Sequence, residues 1–104
     1  MGNQVLKFIE KWQKIPGAID TFTKGGCAWF AYILVSRFPT KDFTFVYAPI
    51  DNHFGIKYED EIYDITGIVT DKYEWIDWEL MVKEDPKWSA RIARDCFYFT
   101  ELGI

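Results

Sequence analysis

The sequence predicts an α+β fold: a small antiparallel sheet of about three strands, packed on a buried central helix and flanking helices. Three observations carry this. Residues 27–35 are apolar without interruption and end shortly before Pro39, as in a helix buried in the middle of a domain. Residues 43–65 alternate in the manner of strands and are broken twice by polar turns. The stretches on either side repeat apolar residues at helical spacing. Helices at both ends with strands between them, in the order α-α-β-β-β-α-α, fit a sheet covered by helices.

Residues 3–15 read as the first helix. Asn3 stands at the cap position, and Val5, Phe8, Ile9, Trp12 and Ile15 fall on one side. Pro16-Gly17 ends it, and residues 18–26 read as a loop closing on Gly25-Gly26. Residues 27–38 form the second helix, stopped by Pro39. Phe43, Phe45 and Tyr47 alternate with Thr44, Val46 and Ala48, a strand. Pro49, Asp51 and Asn52 then break the chain. Residues 53–58 and 61–65 form a hairpin about Glu59-Asp60. Helical spacing returns over 72–83, with Trp75, Trp78 and Met81 or Val82 on one side. Asp85-Pro86 starts a last helix carrying Trp88, Ile92, Cys96 and Phe99 up to Gly103; the run Cys96–Thr100 also fits a strand.

Length and composition bound the function. At 104 residues the chain suits a single domain, residues 1–104. An apolar fraction of 49% excludes disorder, and aromatics at 19% supply much buried area for a short chain. Twelve Lys and Arg against 16 Asp and Glu give a net charge of −4, and only three of the cations are Arg. Such a chain makes a poor phosphate clamp, so no nucleic-acid partner is expected. One His and two Cys are too few for a zinc site of the usual type, so no metal or cofactor is expected. The first residues lack the apolar segment of a secretion signal and the Ser or Thr of a myristoylation site. The longest apolar run is far too short for a membrane span. A cytoplasmic location with no membrane partner is the expectation.

The hairpin pattern selects a register. With Glu59 and Asp60 as the loop, Tyr58 pairs with Glu61 and Ile56 with Tyr63, and Gly55 lies opposite Asp64. One face then collects Phe54, Ile56, Tyr58, Tyr63 and Ile65. The other collects His53, Gly55, Lys57, Ile62 and Asp64. A one-residue slip would scatter both sets. In this register Asp64 lies diagonal to His53, roughly 7–8 Å between backbone positions, within reach of a long side chain. Gly55 puts no side chain between them.

Cys27 follows Gly25-Gly26 and opens the buried helix. The unpaired N–H groups and dipole of a helix N-terminus stabilise a thiolate. The backbone N–H of Cys27 is placed to face a developing oxyanion, and glycines before it let a substrate approach the backbone. A free thiol is most often simply a small buried apolar group. Cys96, on an apolar helical stripe without catalytic company, fits that description better than Cys27 does.

The stretches GGCAWFAYIL and HFGIKYEDEIYDITG resemble papain-like folds of the transglutaminase-like and NlpC-type kind, over residues 25–67. The shared features are a helix-opening Cys, a strand-opening His and an Asp on the next strand, with Tyr63, Asp64 and Thr66 together. The resemblance implies a papain-like core, with Cys27 as nucleophile, His53 as base and Asp64 as orienting acid. Gly25, Gly26, Trp29 and Gly55 would flank the substrate. The family also places a side-chain oxyanion donor near the Cys; Thr23, Lys24 and Tyr47 are the candidates here.

Two functions follow as expectations. One is a cysteine-dependent acyl-transfer enzyme acting on a peptide, isopeptide or side-chain amide. The other is a small acidic interaction protein, encoded by a phage or mobile element, that binds a host protein. For the second, a cluster of Trp75, Trp78 and Trp88 would supply a face if exposed, although tryptophans are more often core.

Overall fold

A computed structural model describes residues 2–23, 26–38 and 42–98. Its elements in chain order are α1 (Gly2–Gln13), α2 (Ala18–Thr23), α3 (Cys27–Arg37), β1 (Phe43–Ala48), β2 (His53–Tyr58), β3 (Glu61–Asp64), β4 (Gly67–Ile68), β5 (Ile76–Asp77), α4 (Trp78–Glu84) and α5 (Pro86–Tyr98). The fold is α+β. All five strands pair antiparallel, in the order β4-β3-β2-β1-β5.

The β2–β3 hairpin has the expected register: Ile56 opposite Tyr63, Lys57 opposite Ile62 and Tyr58 opposite Glu61. Glu59 takes a positive φ of 56° in the turn. Pairing of β1 with β2 lines up Phe45 with Ile56 and Tyr47 with Phe54. This builds one apolar face from Phe43, Tyr47, Phe54, Ile56 and Tyr63, against which α3 packs Cys27, Ala28, Phe30, Ala31 and Leu34. Val5 and Ile9 of α1, Met81 of α4, and Ile92 and Cys96 of α5 complete this core.

The opposite face of the sheet is closed by a smaller cluster of Val46, Ile62 and Val69, with Tyr73 and Trp75 packed on it. Among the described residues no helix is long and apolar enough to cross a membrane.

Several expectations are corrected. The sheet has five strands rather than about three, because β4 and β5 are two residues each, too short to leave an alternation in the sequence. Residues 18–23, expected as loop, are a helix. Phe22 anchors this turn against Trp12 and Phe30, with ring centroids 5.6 and 5.2 Å apart, and such packing overrides the weak local propensity of Ile and Thr.

The expected helix over 72–83 starts only at Trp78, where the Asp77 carboxylate accepts the Leu80 N–H at 3.0 Å, an N-cap. Trp75 is therefore not on a helix; its indole donates to the Val69 carbonyl at 3.2 Å. The central helix is not enclosed on every side, since Tyr32 is 53% exposed. Trp75 and Trp78 are half-buried while Trp88 is 46% exposed, so the three form no single cluster. The last helix runs through Tyr98, and the expected continuation to Gly103, with Phe99, lies outside the described residues.

Candidate functional site

Cys27 is the first residue of α3 and is buried. Gly26 occupies the cap position and has no side chain to engage the first-turn N–H groups. The positive end of the helix dipole thus lies at the thiol. Gly26 is a glycine for a packing reason as well. A Cβ there would lie 2.6 Å from the Thr21 carbonyl oxygen and 3.2 Å from the Phe22 ring. The space expected for a substrate beside Gly26 is filled by α2. Gly25 lies outside the described residues. Trp29 is half-buried, its ring edge-on to Tyr32 at 6.3 Å.

His53 opens β2 and is 6% exposed; Asp64 closes β3 and is 4% exposed. The diagonal placement brings them into contact, with Nε2 of His53 2.8 Å from Oδ2 of Asp64. The other carboxylate oxygen is held from the turn that follows. Oδ1 accepts the Thr66 backbone N–H at 2.7 Å and the Thr66 hydroxyl at 2.6 Å. Asp64 therefore cannot swing away from the ring. The imidazole packs against Tyr73 and Trp75, at centroid distances of 5.0 and 5.9 Å. Trp75 also fills the space left by Gly55, where a Cβ would come within 3.1 Å of the indole. Gly55 thus admits an aromatic wall beside the histidine rather than open space.

Burial alone would push the His53 pKa down. Hydrogen bonds with Asp64 and with Cys27, together with the charges of both, outweigh it and raise the value to about 9. For Asp64, burial pushes upward, but hydrogen bonds from His53 and Thr66 win and hold the carboxyl below its usual range. The ring is therefore tied to an ionised carboxylate and lies near enough to Cys27 for the thiol to contribute to its raised pKa. Since Nε2 faces Asp64, Nδ1 is the nitrogen that a thiol partner would use.

Two residues the sequence reading left aside adjoin this group. Asn52, with a positive φ of 49°, directly precedes His53. Its Oδ1 accepts the Tyr47 hydroxyl at 2.5 Å and lies 4.0 Å from the Cys96 sulfur. Burial, then the neighbouring Cys96 and Cys27, raise the Tyr47 pKa to about 12. Burial, then Cys27 and Asp95, raise Cys96 to about 12. Cys96 is thus a close neighbour of the site, contrary to its expected isolation. Helical spacing identified its buried face but not what that face meets. Of the other oxyanion candidates, the Thr23 hydroxyl is turned back onto the Ile19 carbonyl at 2.7 Å, and Lys24 lies outside the described residues.

Residues 5–91 match the family model described as Phage YunG-like protein, and the chain belongs to that family. The match points to a phage-encoded protein. Comparison with curated proteins returned no match, and neither did comparison with solved structures. The comparisons lend no support to a papain-like or transglutaminase-like core.

Proposed function

We propose that this member of the phage YunG-like family is a cysteine-dependent acyl-transfer enzyme, built on a minimal papain-like core. The observation that carries the reading is one buried imidazole tied to an anchored carboxylate, its pKa raised both by that carboxylate and by the thiol at an uncapped helix start. One hairpin, β2–β3, supplies the imidazole and the carboxylate, and α3 supplies the thiol.

In this reading the Cys27 sulfur attacks the carbonyl carbon of a peptide, isopeptide or side-chain amide, and the carbonyl π electrons move to oxygen. Collapse of the tetrahedral adduct breaks the C–N bond, and the His53 imidazolium passes its proton to the departing amine. A thioester remains on Cys27. Water, or another nucleophile, gives its proton to the ring and attacks the thioester, releasing the product and the thiolate. Asp64 keeps Nε2 protonated and Nδ1 directed at the sulfur. The helix dipole stabilises the thiolate before attack.

Iodoacetamide labelling of the native protein tests this, read by mass spectrometry of each cysteine. Cys27 is expected to react at least ~10-fold faster than Cys96, because thiolate fraction and access govern the rate. Cys96 is held protonated by its pKa of about 12. His53→Ala is expected to slow Cys27 near neutral pH, and Asp64→Asn to slow it less. A Cys27 rate indifferent to His53→Ala would remove the activated nucleophile.

A non-enzymatic protein that binds a host protein is the second reading. It draws on the exposed apolar side chains Ile76, Leu80, Val82 and Trp88 on and around α4 and α5. Equal, slow labelling of both cysteines favours it.

A further inference from the structure

We propose that Asn52 supplies the side-chain donor for the oxyanion formed at Cys27, and that Tyr47 and Cys96 orient its carboxamide for the task. The proposal deepens the acyl-transfer reading and rests on it.

Attack on a carbonyl places negative charge on the substrate oxygen, and a donor aimed at that position lowers the barrier. The backbone N–H of Cys27, at the start of α3, is one such donor. A second donor, from a side chain, would add to it. Tyr47 stands close by, but its single hydroxyl proton is already given to Asn52 Oδ1. The Thr23 hydroxyl is likewise committed, to Ile19.

The carboxamide of Asn52 is differently placed. Two donors converge on one of its atoms, the Tyr47 hydroxyl at 2.5 Å and the Cys96 thiol at 4.0 Å. Both keep their protons at neutral pH, each with a pKa of about 12. The atom they meet must therefore be the oxygen, since an amide nitrogen has only protons to offer. Fixing the oxygen on the Tyr47 side directs the Nδ2 group, with its two N–H donors, the other way.

The backbone reinforces this placement. Asn52 sits at φ 49° in the turn before β2, a left-handed conformation that Asn tolerates better than most residues. The side chain is exposed, so its N–H groups can reach a bound substrate. The next residue is His53, whose ring is tied to Asp64, and Cys27 contributes to the raised pKa values of His53 and of both anchors. Tyr47, Cys96 and Cys27 share one buried cluster, so the carboxamide is anchored to neighbours of the thiol, with its acceptor tied down and its donors unspent on either anchor.

Two reactions of the same thiol separate this role from general support of the site. Alkylation by iodoacetamide displaces iodide and forms no oxyanion. Acylation by p-nitrophenyl acetate passes through one and releases p-nitrophenolate, which is followed by absorbance. Asn52→Gly suits the left-handed backbone and removes the carboxamide. It is expected to slow acylation by ~100-fold, the size of effect seen when one oxyanion donor is lost, and alkylation by less than ~3-fold. Asn52→Asp keeps the acceptor for Tyr47, loses the N–H donors, and is expected to slow acylation at least as far. Tyr47→Phe releases the carboxamide to rotate and is expected to give a smaller drop in acylation, again without a matching drop in alkylation.

Parallel losses in the two reactions would show that Asn52 only supports His53, and would overturn the assignment. Unchanged acylation in Asn52→Gly would overturn it too. Failure of the parent reading looks different: in the unsubstituted protein, Cys27 would then be neither alkylated faster than Cys96 nor acylated at all.

Discussion

Asp64→Asn is the sharpest probe of the charge arrangement, because the protein has a single histidine, so its Hε1 proton gives one NMR signal to follow. In the unsubstituted protein His53 is buried, yet its pKa stands at about 9 against an ordinary 6.5. The difference corresponds to about 3 kcal/mol favouring the charged ring; solvent screening reduces what reaches stability.

The substituted carboxamide would retain an oxygen for the Thr66 N–H and hydroxyl but would turn its NH2 toward Nε2. That nitrogen would then have to accept, and the charged ring would lose its strongest partner. Burial, which lowers the pKa, would be opposed by Cys27 alone. The His53 signal is expected to titrate near 9 in the unsubstituted protein and at least ~2 pH units lower in Asp64→Asn.

Stability should follow. The raised His53 pKa contributes stability that is complete below about 6.5 and is lost as pH rises through about 9. The depressed Asp64 pKa contributes stability present above about 4 and lost as pH falls through its folded value. Urea midpoints should therefore be highest between about pH 4 and 6.5. Asp64→Asn should abolish the acid limb and weaken the alkaline one. A His53 signal titrating at or below 6.5 in the unsubstituted protein, or unmoved by Asp64→Asn, refutes the reasoning.

Two further predictions concern packing. Phe30→Ala, at a fully buried position on α3 between Trp12 and Phe22, is expected to cost about 3–5 kcal/mol in urea unfolding. Lys72→Ala, exposed and touching the Tyr73 ring with its ammonium, should stay within about 0.5 kcal/mol; equal midpoints would mean the core is elsewhere. Gly26→Ala is expected to destabilise by about 1–3 kcal/mol, because its Cβ meets backbone at 2.6 Å rather than a movable side-chain end. An unchanged midpoint would show that α2 yields readily and that Gly26 is open to a substrate after all.

Much of the site was legible in one dimension. The hairpin register followed from apolar alternation, since a slip of one residue would have put Phe54, Ile56 and Tyr63 on the polar face. That register places Asp64 diagonal to His53, and period-two geometry then makes their contact a consequence of spacing alone. The helix starting at Cys27 was legible because an unbroken apolar run follows a glycine pair. The tertiary structure decided the rest. The segment 72–77 carries helical spacing, yet Trp75 leaves it to wall in His53 and fill the gap above Gly55, a gain in buried contact that no local pattern encodes. Residues 18–23 become helical because Phe22 finds Trp12 and Phe30. Asn52 and Cys96 meet across a separation of 44 residues, in a contact made only when α5 docks on α3 and α4. Periodicity reports which face of an element is buried; which partner that face meets depends on how helices and sheet close together, and short strands such as β4 and β5 exist only once a neighbour supplies their hydrogen bonds.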